Sequence, residues 1–485
     1  MQLRQVIPEA PGEAGGLEIT SLAYDARRVL PGALFFCVPG FKQDGHEFAL
    51  QAVQRGAVAL VVERKLPELD VPQVMVPSAR VAMAPAAAAF FGEPTAQLQV
   101  AGVTGTNGKT TTAFLLRALL QTSGRETGLL GTVKSVVGGV AHEVARTTPE
   151  AMDLQQTFRE MLSAGDGSVV MEVSSHALAL HRADAIHFDV AVFTNLTQDH
   201  LDFHPDMEDY FQAKRRLFVE LAPRRAVINV DDPYGARLAR ELPAALTYGV
   251  DGPADYRARD LQTSLDGSSF ILQTPEEEVP IRSPLTGRFN VLNVLAAFAA
   301  ASALDVPAEV CAQAILSAGQ VPGRFELVDA GQPFAVVVDY AHTPDSLENV
   351  LRAARGLTRD RLHVVFGAGG DRDRGKRPLM GRAAAQLADR VIVTSDNPRS
   401  EDPEAILDEI LSGSGSGVER EVDRRRAIAR ALHAAAPGDV VVLAGKGHEQ
   451  GQEFAHGRKI PFDDVTAARE ILGEMGSTQS SPAAA

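Results

Sequence analysis

A strand that runs straight into a glycine-rich turn and then a helix is the feature that most limits how this sequence can fold. The segment is Val100-Ala101-Gly102-Val103-Thr104-Gly105-Thr106-Asn107-Gly108-Lys109-Thr110-Thr111, with glycine at every third position before Lys-Thr. Glycines let backbone N–H groups close around phosphate oxygens, and the helix that follows adds the positive end of its dipole. Lys109 is placed to reach terminal phosphates, and the Thr110 hydroxyl suits Mg²⁺. The spacing departs from a strict G-x-x-x-x-G-K-[ST] loop, because the residue five before Gly108 is Val103. Strand, loop, Lys-Thr and helix in this order predict a site for ATP or GTP.

Around that loop the chain divides into three sections. The first, 1–97, has short β-type runs (Ala33–Val38, Ala57–Val62, Gln73–Val76) and one helix-like stretch, His46–Arg55. It ends at Gly92-Glu93-Pro94-Thr95, a cluster of chain breakers. The second, 98–320, opens with the strand Leu98–Val103 and the helix Thr110–Thr122, and has further strands at Ser168–Val173, Asp189–Thr194 and Ala226–Val230. The third, 321–485, has strands at Ala335–Val338, His363–Phe366, Arg390–Thr394 and Asp439–Leu443, with Ala- and Leu-rich helical segments between them. Strands alternating with helices predict α/β domains with mainly parallel sheets. Residues 476–485 lack periodicity and read as a frayed tail. No repeat of fixed period is present.

Composition narrows the function classes. With 47 Lys and Arg against 62 Asp and Glu, the net charge is −15, which argues against a nucleic-acid or anionic-membrane binder. Two cysteines, Cys37 and Cys311, make neither a disulfide framework nor a metal-ligand spacing, so a reducing cytoplasm is expected. No apolar run approaches the ~20 residues needed to cross a bilayer, and nothing near the N-terminus reads as a signal peptide.

Two more segments carry chemistry. Met171-Glu172-Val173-Ser174-Ser175-His176 puts an acid at the end of an apolar strand, where open α/β sheets present ligand groups. A second strand leads into Asn195-Leu196-Thr197-Gln198-Asp199-His200. Alone, a Glu or His at a strand end is more often a structural residue. Beside a phosphate loop, one Thr, one Glu and the nucleotide phosphates form an Mg²⁺ site of hard oxygens. Spacing alone does not assign His200.

Gly105-Thr106-Asn107-Gly108-Lys109-Thr110 resembles the ATP signature of the Mur ligase family, the ATP-dependent amide-bond synthetases of peptidoglycan assembly. Folylpolyglutamate synthetase shares the general plan. The resemblance implies ATP held by residues 105–111, Thr111 included, and two Mg²⁺ ions, one on Thr110 and Glu172 and one on Glu172 and His200. Lys214 matches the family lysine that carries a carbamate, so that an anion replaces an ammonium near the cations. With Lys109, these residues form the implied catalytic set. In Gly287-Arg288-Phe289-Asn290-Val291-Leu292-Asn293 the asparagines, Asn290 first, are expected near the adenine. Arg324 is expected at the phosphates, and Asp339 and His342 should face the nucleotide.

The first section, Asp25–Phe36 with Asp44-Gly45-His46 behind it, resembles the uridine-nucleotide domain of the family's tripeptide synthetases. Ala26 stands where a serine is usual, leaving the diphosphate to backbone near Leu3 and to Phe41–Gln43. Thr147, Thr148, Ser174 and Arg182 match residues that grip the muramoyl dipeptide, and Leu180 replaces a polar Gln. In the third section, Asp396-Asn397-Pro398-Arg399 resembles the signature of members that add meso-diaminopimelate, with Arg372, Gly445 and Glu449 as further contacts. Taken alone, that tetrapeptide is more often a turn. Its chemistry is specific: Arg399 suits the remote carboxylate of diaminopimelate and repels the bare ammonium of lysine or ornithine.

The implied fold has an N-terminal mixed α/β uridine-nucleotide domain, a central P-loop-type domain and a C-terminal Rossmann-like domain. The implied reaction joins diaminopimelate to UDP-N-acetylmuramoyl-L-alanyl-D-glutamate through an acyl phosphate, in a cytoplasmic monomer. Lysine or ornithine as the added amino acid, and a non-catalytic nucleotide-binding protein, remain as alternatives.

Overall fold

The computed structural model describes residues 1–10, 12–41, 43–144 and 146–479. The chain forms two compact units that interleave in sequence: 1–104, 123–192 and 212–226 in the first, and 105–122, 193–211 and 227–485 in the second.

The first unit begins with a four-stranded parallel sheet, Ser21–Ala23, Ala33–Phe36, Ala57–Val62 and Gln73–Met75, in sequence order. Both faces are covered, which is why these strands read as continuous apolar runs. Phe36 and Val61 pack with Met83 and Ala87 of the helix Ala79–Phe90, while Phe35, Leu60 and Val62 pack on the opposite face with Ala26 and Ala52. The expected helix His46–Arg55 divides into a 3₁₀ turn, Gly45–Phe48, capped by Asp44, and the helix Ala49–Gln54.

The same unit contains three parallel strands, with Ser168–Glu172 between Gln99–Thr104 and Thr127–Leu130. An antiparallel extension, Ser135–Val137 and Val140–His142, continues beyond Thr127–Leu130. Val103 pairs with Glu172, so this acid stands at the strand end level with the start of the phosphate loop.

In the second unit the helix Lys109–Thr122 packs along Arg288–Ser302, whose alanines allow close approach. Nearby, Leu246–Gly249 pairs in parallel with Tyr256–Ser264, and Gly267–Gln273 and Glu278–Ser283 continue as an antiparallel meander. The sequence reading did not include that meander.

The C-terminal part of this unit is a six-stranded sheet ordered Glu326–Leu327, Ala335–Asp339, Val440–Ala444, Leu362–Phe366, Arg390–Val393 and Glu419–Arg420. All neighbours are parallel except the first pair. Helices cover both faces: Leu347, Leu351, Met380 and Ile406 seal one, Ile428, Leu432, Ala468 and Ile471 the other. In such a doubly wound sheet the ligand edge is the carboxyl ends of the strands. The loops from Asp339, Phe366, Val393 and Ala444 all leave from that edge. The last helix continues to Gln479, and 480–485 of the expected tail lie outside the described residues. No helix of the described residues is long and apolar enough to cross a membrane.

Candidate active site

The phosphate loop keeps its shape because two of its glycines leave no room for a side chain. Gly105 has φ +146° and a Cβ there would land on the Thr194 hydroxyl; Gly108 has φ +85° and a Cβ would land on Asn293 Oδ1. The segment after Phe193 braces the loop. Thr106 N donates to Asn195 O (2.9 Å), Asn107 N to Asn195 Oδ1 (2.9 Å), and the Thr194 hydroxyl to Asn107 O (2.6 Å). Thr106 Oγ1 lies 3.1 Å from Tyr210 Oη and accepts from Thr197 N at 3.0 Å, so this hydroxyl serves the loop itself. Lys109 Nζ curls back to the carbonyls of Gly105 (2.9 Å) and Thr106 (2.8 Å). Thr110 and Thr111 are buried at the start of the helix.

Arg324 comes to this loop from the turn before the six-stranded sheet. Its Nη2 donates to Thr110 Oγ1 at 3.2 Å, and the guanidinium lies 4.3 Å over the Tyr340 ring. Its buried Nε has no hydrogen-bond partner among the described residues. A guanidinium with a spare buried donor beside a phosphate loop is suited to an anionic ligand. Asp339, expected to face the nucleotide, spends both oxygens on backbone: Oδ2 accepts from Phe325 N (2.6 Å) and Oδ1 from Ala341 N (2.7 Å). It thereby fixes the turn that carries Arg324, where Phe325 has φ +49°. Burial pushes its carboxyl up to about 6.

His342 lies with Nδ1 2.8 Å from Tyr340 O and Nε2 3.9 Å from Asp199. Burial holds its pKa below the ordinary value. Asp199, which sequence reasoning passed over, is the hub of this corner. Its Oδ1 accepts from His200 N at 2.9 Å, and Lys376 Nζ is 3.9 Å away. Burial opposes its ionisation, but His200, His342 and Lys376 outweigh burial and hold the carboxyl well below the usual range. His200 has φ +55°, uncommon outside glycine. Asp345 was also missed; it accepts from Asn107 Nδ2 at 2.8 Å and Thr197 Oγ1 at 3.3 Å. Asn290 donates from Nδ2 to Thr286 O and accepts at Oδ1 from Asn293 Nδ2. Asn293 is the asparagine that meets the loop, through Gly108 and the Thr112 hydroxyl.

In the first unit Glu172 is 1% exposed, with its carboxylate oriented by Thr132 N (2.8 Å) and Thr132 Oγ1 (2.9 Å). Thr132 in turn meets Thr147 Oγ1 at 3.1 Å, and Thr148 Oγ1 donates to Glu172 O at 2.9 Å. Ser174 N donates to Thr148 Oγ1, and Arg182 Nη1 to Thr148 O. The expected dipeptide residues Thr147, Thr148, Ser174 and Arg182 are thus one connected set with Glu172. Three guanidiniums, Arg80, Arg146 and Arg182, share Glu150 at 2.9–3.1 Å, a basic cluster of which only Arg182 was expected from the sequence.

Ala26 does not present itself to a ligand: it is 4% exposed and packed among Phe35 and Leu60. Leu3 is likewise core, and its amide donates to Leu17 O. Of the Phe41–Gln43 stretch, Phe41 is exposed and Lys42 lies outside the described residues. Leu180 caps the short helix Ser175–Ala179. Lys214 is 1% exposed in the helix Met207–Val219.

The third group lies at the carboxyl edge of the six-stranded sheet. Arg399, with φ +50°, donates from Nη1 to Gly370 O (2.7 Å) and from Nε to Glu453 (3.1 Å). Asn397 Nδ2 donates to Glu449 Oε2 at 2.7 Å. Asp396 and Pro398 complete that turn, and a Cβ on Gly445 (φ +117°) would press on Asp396. Arg372 is exposed and donates to Asp371 O. Two further buried cations were not anticipated. Arg377 ties the Gly369 loop to Glu401 and Glu409, and Lys446 contacts Asn397 and Glu449. Arg377 was invisible in sequence because its partners lie in other segments, and Lys446 because its link to Asn397 is long-range.

Among the described residues, no three His, Cys, Asp or Glu side chains cluster as a metal cage. The Mg²⁺ donors implied by the family resemblance, Thr110, Glu172, His200 and a carbamate on Lys214, are mostly hard oxygens. Such a set fits an ion that keeps waters and shares phosphate oxygens, and the pre-oriented, buried Glu172 carboxylate agrees with it.

Three stretches match Mur ligase domains: residues 18–104 the Mur ligase family catalytic domain, 103–301 the middle domain and 323–447 the glutamate ligase domain. The chain belongs to the Mur ligase family and has its three-domain α/β fold. It is 50% identical over 481 residues to the UDP-N-acetylmuramoyl-L-alanyl-D-glutamate–2,6-diaminopimelate ligase of Solibacter usitatus, covering 98% of this chain and 97% of the relative. A solved structure of a ligase with that same name is 34% identical, with a TM-score of 0.71 over 98% of this chain and 99% of that one. The MurF ligase from Thermotoga maritima in complex with ADP shares the fold, with 20% identity and a TM-score of 0.65 over 96% and 99% of the two chains.

Proposed function

We propose that this chain is the ATP-dependent ligase that joins meso-2,6-diaminopimelate to UDP-N-acetylmuramoyl-L-alanyl-D-glutamate in cytoplasmic peptidoglycan precursor synthesis. The observation that carries this reading is identity of 50% along nearly the full length of a relative bearing that name. In this reading residues 1–97 bind the UDP-muramoyl end, 98–320 bind ATP and 321–485 bind the amino acid, and the enzyme works as a monomer.

The reaction has two steps. The free carboxylate of the D-glutamyl residue attacks the γ-phosphorus of ATP; the bond to the bridging oxygen breaks, and ADP leaves an acyl phosphate. The amine of diaminopimelate then adds to the acyl carbon, and the tetrahedral intermediate collapses with loss of phosphate. Lys109 and Arg324 hold the phosphates, and the loop amides stabilise charge as it shifts toward ADP. Thr148, Ser174 and Arg182 position the dipeptide. Two Mg²⁺ ions would be held by Thr110, Glu172, His200 and carbamoylated Lys214, and when bound would neutralise charge on the transferring phosphoryl group. Arg399 faces the remote carboxylate of diaminopimelate, and Glu449 its remote ammonium.

The test is product analysis with purified protein, ATP, Mg²⁺, the UDP-muramoyl dipeptide and diaminopimelate. One tripeptide product, one ADP and one phosphate should form in equal amounts, and omission of either acceptor or amine should abolish the product. A protein that only binds nucleotide gives ADP binding and no amide.

A further inference from the structure

We infer that Lys446 is a specificity-determining residue for the incoming amino acid, acting by orienting Glu449 and placing a positive charge beside it; the inference rests on the diaminopimelate reading above. Lys446 is fully buried, and its Nζ lies 3.0 Å from Glu449 Oε2, 3.2 Å from Asn397 Oδ1 and 3.7 Å from Asp396 Oδ1. The backbone sends it inward because both neighbours are glycines at positive φ, Gly445 at +117° and Gly447 at +53°.

The geometry is directional. Glu449 Oε2 receives both the Lys446 ammonium and Asn397 Nδ2, while Oε1 takes part in neither bond. Asn397 Oδ1 is likewise saturated by Lys446 Nζ and Glu453 N (2.9 Å). Lys446 therefore locks the pair Asn397–Glu449 in one arrangement and presents a single carboxylate oxygen to the ligand. It also offsets the acids on this edge. Buried Arg424 also favours these acids but is paired directly with Asp464, whereas Lys446 is the cation that hydrogen-bonds Glu449 itself.

A ligand with both charges at its far end needs a balanced pocket. A ligand with only an ammonium there gains from surplus negative charge. Removing the Lys446 charge leaves Asp396 and Glu449 with less positive charge to balance them, which should penalise diaminopimelate and favour lysine.

The experiment is steady-state phosphate release by full-length wild type, Lys446→Met and Lys446→Gln, first with the amino acid varied and ATP and the UDP-muramoyl dipeptide saturating, then with ATP varied. Either variant should raise KM for diaminopimelate about tenfold or more and shift the diaminopimelate-to-lysine ratio of kcat/KM by at least about tenfold toward lysine. KM for ATP should stay within about twofold, a split that a general loss of structure would not produce. An unchanged ratio in either folded variant overturns the inference. So does failure of both variants to fold, which would make Lys446 a core residue. If wild type does not use diaminopimelate at all, it is the underlying function that fails.

Discussion

Arg324 donates to the hydroxyl of Thr110 across 3.2 Å, joining the turn before the C-terminal sheet to the first turn of the phosphate-loop helix. The guanidinium is oriented by the face of Tyr340 and by the turn that Asp339 holds. Hydrogen bonds to charged groups contribute about 1.5–3 kcal/mol. Arg324→Lys, which keeps charge but loses the fork, is therefore expected to lower kcat/KM for ATP by about 10- to 100-fold. Initial rates at varied ATP check it, and a change under threefold would remove Arg324 from the phosphate site.

Gly105 tests the loop. A methyl there meets the Thr194 hydroxyl at a φ that L-residues avoid. Gly105→Ala should weaken ADP binding at least about tenfold by titration calorimetry, given about 1–2 kcal/mol of backbone strain plus the clash. Gly124→Ala, also at positive φ (+87°) but with open space around it, should leave ADP affinity unchanged.

These loop features were legible because they are local: strand, glycines, Lys-Thr and helix follow one another along the chain. The C-terminal edge was also legible, since Asp339, Phe366, Val393 and Ala444 each end an apolar run. What escaped was long-range. Asp199 gains its meaning from Lys376 and His342, Glu150 from Arg80, and Lys446 from Asn397, partners in distant segments that no spacing rule connects. The meander 256–283 was missed for a different reason: its strands are largely polar, with at most the short run Phe270-Ile271-Leu272, and lack the longer apolar runs that marked the buried parallel strands. His200 and Lys214 came from family resemblance, not from residue chemistry.

Arg377 is expected to make stability pH-dependent. Its hydrogen bonds hold the Glu401 carboxyl down to about 2 against an ordinary 4.5. Because the folded value is the lower one, the contribution is complete above about 4.5 and disappears as pH falls toward 2. Arg377→Met should lower Tm at pH 7 by several degrees, near the low end of the about 3–5 kcal/mol for breaking a buried pair, since Glu401 is partly exposed. Melts at pH 7 and pH 3 check this: the deficit should shrink in acid, and a constant deficit would contradict it.

Arg399 separates amino-acid recognition from nucleotide binding. Its Nε and Nη1 bond to Glu453 and Gly370, and Asn397 of the same turn bonds to Glu449. Arg399→Ala should raise KM for diaminopimelate at least about tenfold, as loss of a paired carboxylate implies. KM for ATP should move less than twofold, and equal loss for both ligands would contradict the role given to this side chain.

The most direct measurement is phosphate release by the wild-type protein with ATP, Mg²⁺ and the UDP-muramoyl dipeptide, offered meso-diaminopimelate, L-lysine or L-ornithine in turn. The account predicts rapid release with diaminopimelate and kcat/KM lower by at least about 100-fold for the other two, the scale of discrimination expected from an unpaired buried charge. Equal rates with lysine, or no release with any of the three, would contradict it.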